Sequence, residues 1–337
     1  MCIRDSKSTL INKKTKLKRS KYPFVDVHNH QFDMPLKNLN KLVAEMDSLN
    51  MGFMINLSGF RGLYLKKSLE NIKENAPNRF GLFLNIDFEA IDESDFEATQ
   101  TALIDSAVNA GVMGLKVYKS LGLTDTDSKG NRISINDPRL APIWDTCGKN
   151  KIPVLIHSGE PSSFWHPKDK FNERWLELRQ KPNRFRDPDN NPSFEEVLAE
   201  QHEVFKKHPN TIFINAHLGW MGNDLDRLET HLDTFPNVMT EIGAVLAELG
   251  RQPKRARSFF IKYQDRILFG KDSYKVSEYY TYFRVLETDD EYFDYYRKRH
   301  AHWKMYGLAL PDSILQKLYY KNALELFPSI DKSLFKL

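Results

Sequence analysis

Eight short apolar runs, rich in β-branched and aromatic residues, alternate with longer amphipathic stretches along this 337-residue chain. No other feature narrows the possible folds as far. The runs are 24–28, 52–57, 80–86, 112–117, 152–157, 211–217, 237–242 and 267–269. Helix-like periodicity fills the intervals at about 36–49, 64–76, 93–109, 138–149, 193–207, 223–235 and 254–263, with a last helix near 312–326. Strands that alternate with helices predict a parallel sheet. Eight of them predict an α/β fold of the (β/α)8 TIM-barrel type in a single domain. A doubly wound open sheet is the alternative, but the Gly-rich fingerprint expected after its first strand is absent. No internal repeat or low-complexity linker divides the chain.

Local signals agree with these boundaries. Asn136-Asp137-Pro138 reads as an N-cap with proline near the first helical position. Ser193 followed three residues later by Glu196 reads as a capping box, and His208-Pro209-Asn210 stops the helix that follows.

The net charge of +4 is a property of the N-terminus. Residues 1–22 hold eight Lys/Arg and one acid, and the rest carries 41 basic against 44 acidic residues. Residues 1–21 are therefore expected to be a basic extension, a solvated lead-in to a barrel over 22–330. The first six residues, Met1 to Ser6, resemble the translation of a transposon adapter used in sequencing libraries. The natural start is then missing, which leaves cytoplasmic and periplasmic locations open. No run of about 18 apolar residues exists, so no membrane span is expected. The expected partner is a small-molecule substrate rather than nucleic acid, and a homodimer is compatible with the composition. Cys2 and Cys147 form no disulfide framework, and Cys147 reads as a small core residue.

In such a barrel, chemistry sits at the C-terminal ends of the strands. Strand 1 ends in His28-Asn29-His30, whose two histidines point to one face. Strand 4 carries Lys116, strand 5 ends in His157, strand 6 in His217, and strand 8 leads to Asp272. Four of the ten histidines and an aspartate thus fall at one end of the barrel. Imidazole and carboxylate donors with an open position suit a divalent transition metal, zinc first, with manganese or iron as alternatives.

This pattern resembles the amidohydrolase superfamily over about residues 22–327. The resemblance rests on Asp26-Val27-His28-Asn29-His30, on His157 and His217, on Phe269-Gly270-Lys271-Asp272, and on the closing segment from Tyr320 to Phe327. The chain looks most like the branch that holds aminocarboxymuconate-semialdehyde decarboxylase, related aromatic decarboxylases and lactonases. The resemblance implies that His28, His30, His157 and Asp272 hold one metal. It also implies that His217 orients the attacking water or polarises the substrate, and that Asp272 shuttles a proton. The physical case is parallel. A divalent metal lowers the pKa of water from about 15.7 toward 7. An aspartate beside it stays ionised and accepts the proton. His217 is placed to donate to a developing oxyanion.

Lys116 has three readings: a carbamylated bridge between two metals, as the resemblance implies for some members, a free amine for a substrate carboxylate, or a structural lysine paired with Glu241. The long segment 158–192 after strand 5 reads either as a lid or as a loop packed by its own aromatics. Its Arg174, Arg179, Arg184 and Arg186 offer a carboxylate clamp. The aromatic set within 279–306 reads mainly as a cover for the barrel or a subunit interface.

The leading expectation is a metal-dependent hydrolase of a C–O or C–N bond (lactone, ester or amide) that uses a metal-activated water. The alternative is a non-oxidative decarboxylase, a lyase, of an aromatic or muconate-type acid. A non-catalytic binding protein is a minor third.

Overall fold

The computed structural model of the chain describes residues 8–335, so the adapter-like residues 1–6 lie outside the described residues. Each of the eight apolar runs forms a strand: β1 (Phe24–Asn29), β2 (Met51–Asn56), β3 (Phe80–Asn85), β4 (Gly114–Val117), β5 (Val154–Ile156), β6 (Phe213–Asn215), β7 (Val238–Glu241) and β8 (Ile267–Leu268). They pair in parallel in sequence order, β1 to β8. β8 returns to β1 through a parallel bridge between Asn29 and Asp272 and through Val27 N–H donating to Phe269 O at 3.0 Å. The chain is a (β/α)8 TIM barrel in one domain. The runs are almost uninterruptedly apolar because a barrel strand is buried on both faces.

The helices follow the predicted order. They are α1 (Leu39–Leu49), α2 (Gly62–Asn75), α3 (Phe96–Asn109), α4 (Ala141–Lys149), α5 (Trp175–Gln180), α6 (Phe194–Lys207), α7 (Leu225–Thr234), α8 (Leu246–Gly250), α9 (Pro253–Lys262) and α10 (Val276–Glu287). α11 (Asp312–Gln316) and α12 (Asn322–Leu326) join through one π-helical turn, Lys317–Lys321. Cys147 is fully buried beside Trp144 on α4, as expected of a small core residue. Among the described residues, no helix is long and apolar enough to cross a membrane.

Three helices, α5, α8 and α10, have no counterpart in the sequence reading. α10 buries one face, with Glu278, Tyr279, Tyr282, Phe283 and Leu286, and it overlaps the stretch read only as an aromatic set. Its Tyr279, Tyr282 and Phe283 are all 0% exposed and pack on Phe24 or Phe269. This half of the aromatic set covers the barrel.

The caps read from the sequence are present. Ser193 Oγ accepts from Glu196 N–H at 3.1 Å, and the Asp137 side chain accepts from Arg139 N–H at 3.0 Å. Removing the first with Ser193→Ala should cost about 1 kcal/mol in urea unfolding. Part of the basic N-terminal segment is pinned rather than free. Thr15 donates twice to the buried Asp290, at 2.9 and 2.7 Å, and Arg284 Nε holds the same carboxylate at 2.7 Å.

Candidate metal centre

His28 lies within β1 and His30 just past it, His157 follows β5 directly, His217 follows β6, and Asp272 follows β8. The fold therefore delivers all five to one end of the barrel. His28, His30 and Asp272 place one ligand atom each within 4.8 Å of one another. The Nε2 atoms of both histidines stand 3.6 Å from Asp272 Oδ1. His157 is outside that trio but joins it through His217, whose Nε2 is 3.3 Å from His157 Nδ1.

Hydrogen-bond partners assign the free nitrogen of each ring. His28 Nδ1–H donates to Glu241 Oε1 at 2.9 Å, which leaves Nε2 as a lone pair. His30 Nδ1 is anchored on Ser58 Oγ at 2.7 Å, and Ser58 meets Tyr118 Oη at 3.0 Å. His217 Nδ1 faces the Gly243 carbonyl at 2.8 Å. A carbonyl only accepts, so the proton sits on Nδ1 and Nε2 is an acceptor. His157 Nδ1–H then donates to it, and His157 Nε2 is left bare. Buried His28 Nε2 and His157 Nε2 have no hydrogen-bond partner. Unpaired buried nitrogens are costly. Outer partners that orient imidazoles this way are typical of metal sites. The same logic bears on His217. Its Nε2 carries a proton for an oxyanion only as imidazolium, so in the neutral ring it orients His157 instead.

A second trio, His28, His217 and Glu241, also lies close. Its atoms are already engaged. Glu241 accepts from His28 and from His217 N–H at 2.7 Å, and from Gly243 N–H. It supports the first trio from beneath.

The backbone at these strand ends is unusual. His217, Leu218, Gly219 and Trp220 form a left-handed turn with φ of 58°, 55°, 58° and 57°, and Asp272 has φ 81°. Non-glycine residues rarely hold this region, and such strain clusters at functional sites. The turn brings the Trp220 ring to 4.6 Å from that of His217.

Protonation follows burial. Desolvation holds His28 and His157 well below the usual imidazole range and lowers His30 to about 4. Burial opposes ionisation of Asp272, but His28, His217, His30 and Lys116 outweigh it and bring its pKa to about 2. Neutral imidazoles beside an ionised carboxylate are the states that a divalent metal requires. The donor set therefore fits such a metal.

A family model for amidohydrolases matches residues 77–329, well over half of the chain. The chain belongs to the amidohydrolase family. No curated protein matches the sequence. Solved structures share the fold. One is a 2,6-dihydroxybenzoate decarboxylase in complex with 2,6-dihydroxybenzoate, 14% identical, TM-score 0.57, with 91% of this chain and 99% of that one covered. Another is a dihydroxybenzoic acid decarboxylase from Polaromonas sp. JS666 with bound manganese and 2-nitroresorcinol, 12% identical, TM-score 0.57, with 94% and 100% covered. A third is a 4-oxalomesaconate hydratase from Rhodopseudomonas palustris, 11% identical, TM-score 0.54, with 92% and 97% covered. His28 and His30 precede the matched segment, whereas Lys116, His157, His217, Glu241 and Asp272 fall inside it.

In this amidohydrolase the pairing of Lys116 with Glu241 does not occur. Glu241 is taken by His28, His217 and Gly243, and the buried Lys116 Nζ makes no hydrogen bond. Burial lowers that amine to about 7. The arginines of segment 158–192 are largely committed too. Arg174 pairs with Glu177 at 3.2 Å and Glu248 at 3.1 Å, Arg184 pairs with Glu177, and Arg186 lies 3.4 Å from Glu160. Most of these pairs lie within the loop, Arg174–Glu248 ties it to α8, and Arg179 alone of the four is exposed. The loop also packs on itself, with Trp165 Nε1–H donating to Pro192 O at 2.8 Å. Its Ser162, Trp165 and His166 still border a cleft that Trp220 also lines.

Sequence reasoning missed the work of Glu241, Ser58 and Trp220. Glu241 is the last residue of β7, so the rule that selected the other strand ends also points to it.

Proposed function

We propose that this amidohydrolase hydrolyses a C–O or C–N bond of a small organic substrate at a metal held by His28, His30, His157 and Asp272. The observation that carries this reading is the bare, buried Nε2 of His28 facing Asp272, with its other nitrogen tied to Glu241. A divalent cation there supplies Lewis acidity and brings the pKa of water toward neutrality. Asp272, ionised at neutral pH, accepts the proton of the attacking water and returns it to the leaving atom. His217 keeps His157 in the tautomer that presents Nε2. Zinc, manganese and iron all suit these donors.

Prolonged chelation should abolish turnover, and re-addition of one of these metals should restore it. Full activity at less than a tenth of an equivalent of metal by elemental analysis would sink the reading. A panel of lactones, esters, amides and aromatic acids, assayed for acid release and for carbon dioxide, identifies the reaction.

A second reading, decarboxylation of an aromatic or muconate-type acid, has one specific support. Lys116 Nζ is a buried amine over the Tyr118 ring with no hydrogen-bond partner, suited to a substrate carboxylate. Two of the similar structures are decarboxylases by name. A charge-assisted hydrogen bond is worth about 1.5–3 kcal/mol. Lys116→Met should therefore raise KM for a carboxylate substrate roughly ten- to hundredfold. An unchanged KM removes the amine from recognition.

A further inference from the structure

The trio of His28, His30 and Asp272 spans β1 and β8, the seam at which the barrel closes. Backbone pairing is sparse there. It consists of the Asn29–Asp272 bridge, the Val27 to Phe269 bond, and Lys271 and Asp272 N–H donating to His28 O at 3.3 and 2.6 Å. One side chain crosses the same seam. Asp26 is 0% exposed. Its Oδ1 accepts from His28 N–H and from Lys271 N–H, both at 3.1 Å. Its Oδ2 accepts from Asn29 Nδ2–H at 2.8 Å and from Tyr279 Oη–H at 2.6 Å. The carboxylate thus grips the backbone of one ligand and that of the residue just before another. Tyr279, on α10, holds it from behind and also accepts from Asn29 Nδ2–H at 2.9 Å.

We propose that Asp26 is a positioning residue that sets the separation of His28 and His30 from Asp272, and through it the affinity and geometry of the metal site. The inference rests on the metal reading above. A metal site needs its donors placed to a few tenths of an ångström, and neighbours that orient ligands control affinity ten- to hundredfold. The buried carboxylate adds to the backbone bonds of the seam by holding His28 N–H and Lys271 N–H on one oxygen. A residue that served only barrel stability would change the unfolding midpoint and leave the bound metal's surroundings alone.

The test uses Co2+ as probe, with affinity from titration and geometry from its visible d–d absorption. Folding of each variant is checked by circular dichroism. Asp26→Ala is expected to bind Co2+ at least tenfold more weakly, with a shifted or weakened absorption band. Asp26→Asn keeps one oxygen for the His28 and Lys271 N–H groups and should recover most of both. If Asp26→Ala does not fold, Tyr279→Phe decides, with an expected loss of at least threefold and an altered band. Folded Asp26→Ala with wild-type affinity or a wild-type band overturns the inference, as does such a Tyr279→Phe where Asp26→Ala does not fold. Absence of Co2+ binding by the wild-type protein overturns the metal reading itself, and this inference with it.

Discussion

His28→Ala should leave the purified protein with less than a tenth of an equivalent of divalent metal, and turnover reduced about a thousandfold or more. The magnitude follows from the several kcal/mol that a metal contributes to transition-state stabilisation, at about 1.4 kcal/mol per factor of ten. His28 is the right residue because its two nitrogens are already divided between tasks. Nδ1 is fixed on Glu241 at 2.9 Å, and Nε2 faces Asp272 at 3.6 Å with no hydrogen-bond partner. Elemental analysis reads the metal directly and does not depend on knowing the substrate. A variant that keeps a full equivalent of metal removes His28 from the ligand set.

Glu241→Ala should act on stability and on the metal together. Three donors lose their acceptor at once: His28 Nδ1, His217 N–H and Gly243 N–H. A buried donor left without its acceptor costs about 1–3 kcal/mol, measurable by urea unfolding. Metal affinity should fall ten- to hundredfold, because His28 is no longer held in its tautomer and orientation. The packing around the carboxylate supports this assignment. A Cβ on Gly270 would lie 2.3 Å from Glu241 Oε2 and 2.8 Å from His28 Cβ. Gly270→Ala should therefore push the same carboxylate off its place and weaken metal binding in the same direction. Wild-type affinity in folded Glu241→Ala would show that the glutamate is only structural.

Much of the architecture was legible beforehand, and the reason is periodicity. Each barrel strand is short and apolar on both faces, so 24–28 or 152–157 stands out without any neighbour being known. α6 was legible because Ser193 and Glu196 are three residues apart and the cap is local. α10 was not, since its buried Tyr279, Tyr282 and Phe283 belong to a run of aromatics that reads as a cover rather than as a helix. The arginines of 158–192 looked like a free clamp because their partners, Glu177, Glu160 and Glu248, are chosen by how the loop folds back.

The sequence by itself determined a parallel eight-stranded barrel and the end of it where His28, His30, His157, His217 and Asp272 gather. Strand period and strand direction are properties of the local chain, and they carry side chains to a predictable end. Only the tertiary structure decided which nitrogen of each ring is free, that Lys116 Nζ lacks a hydrogen-bond partner, and that Asp26 spans the closing seam. Those outcomes depend on hydrogen bonds between residues 28 and 241, 30 and 58, or 26 and 271. Such pairs meet only when the barrel closes, and no local pattern in the chain records them.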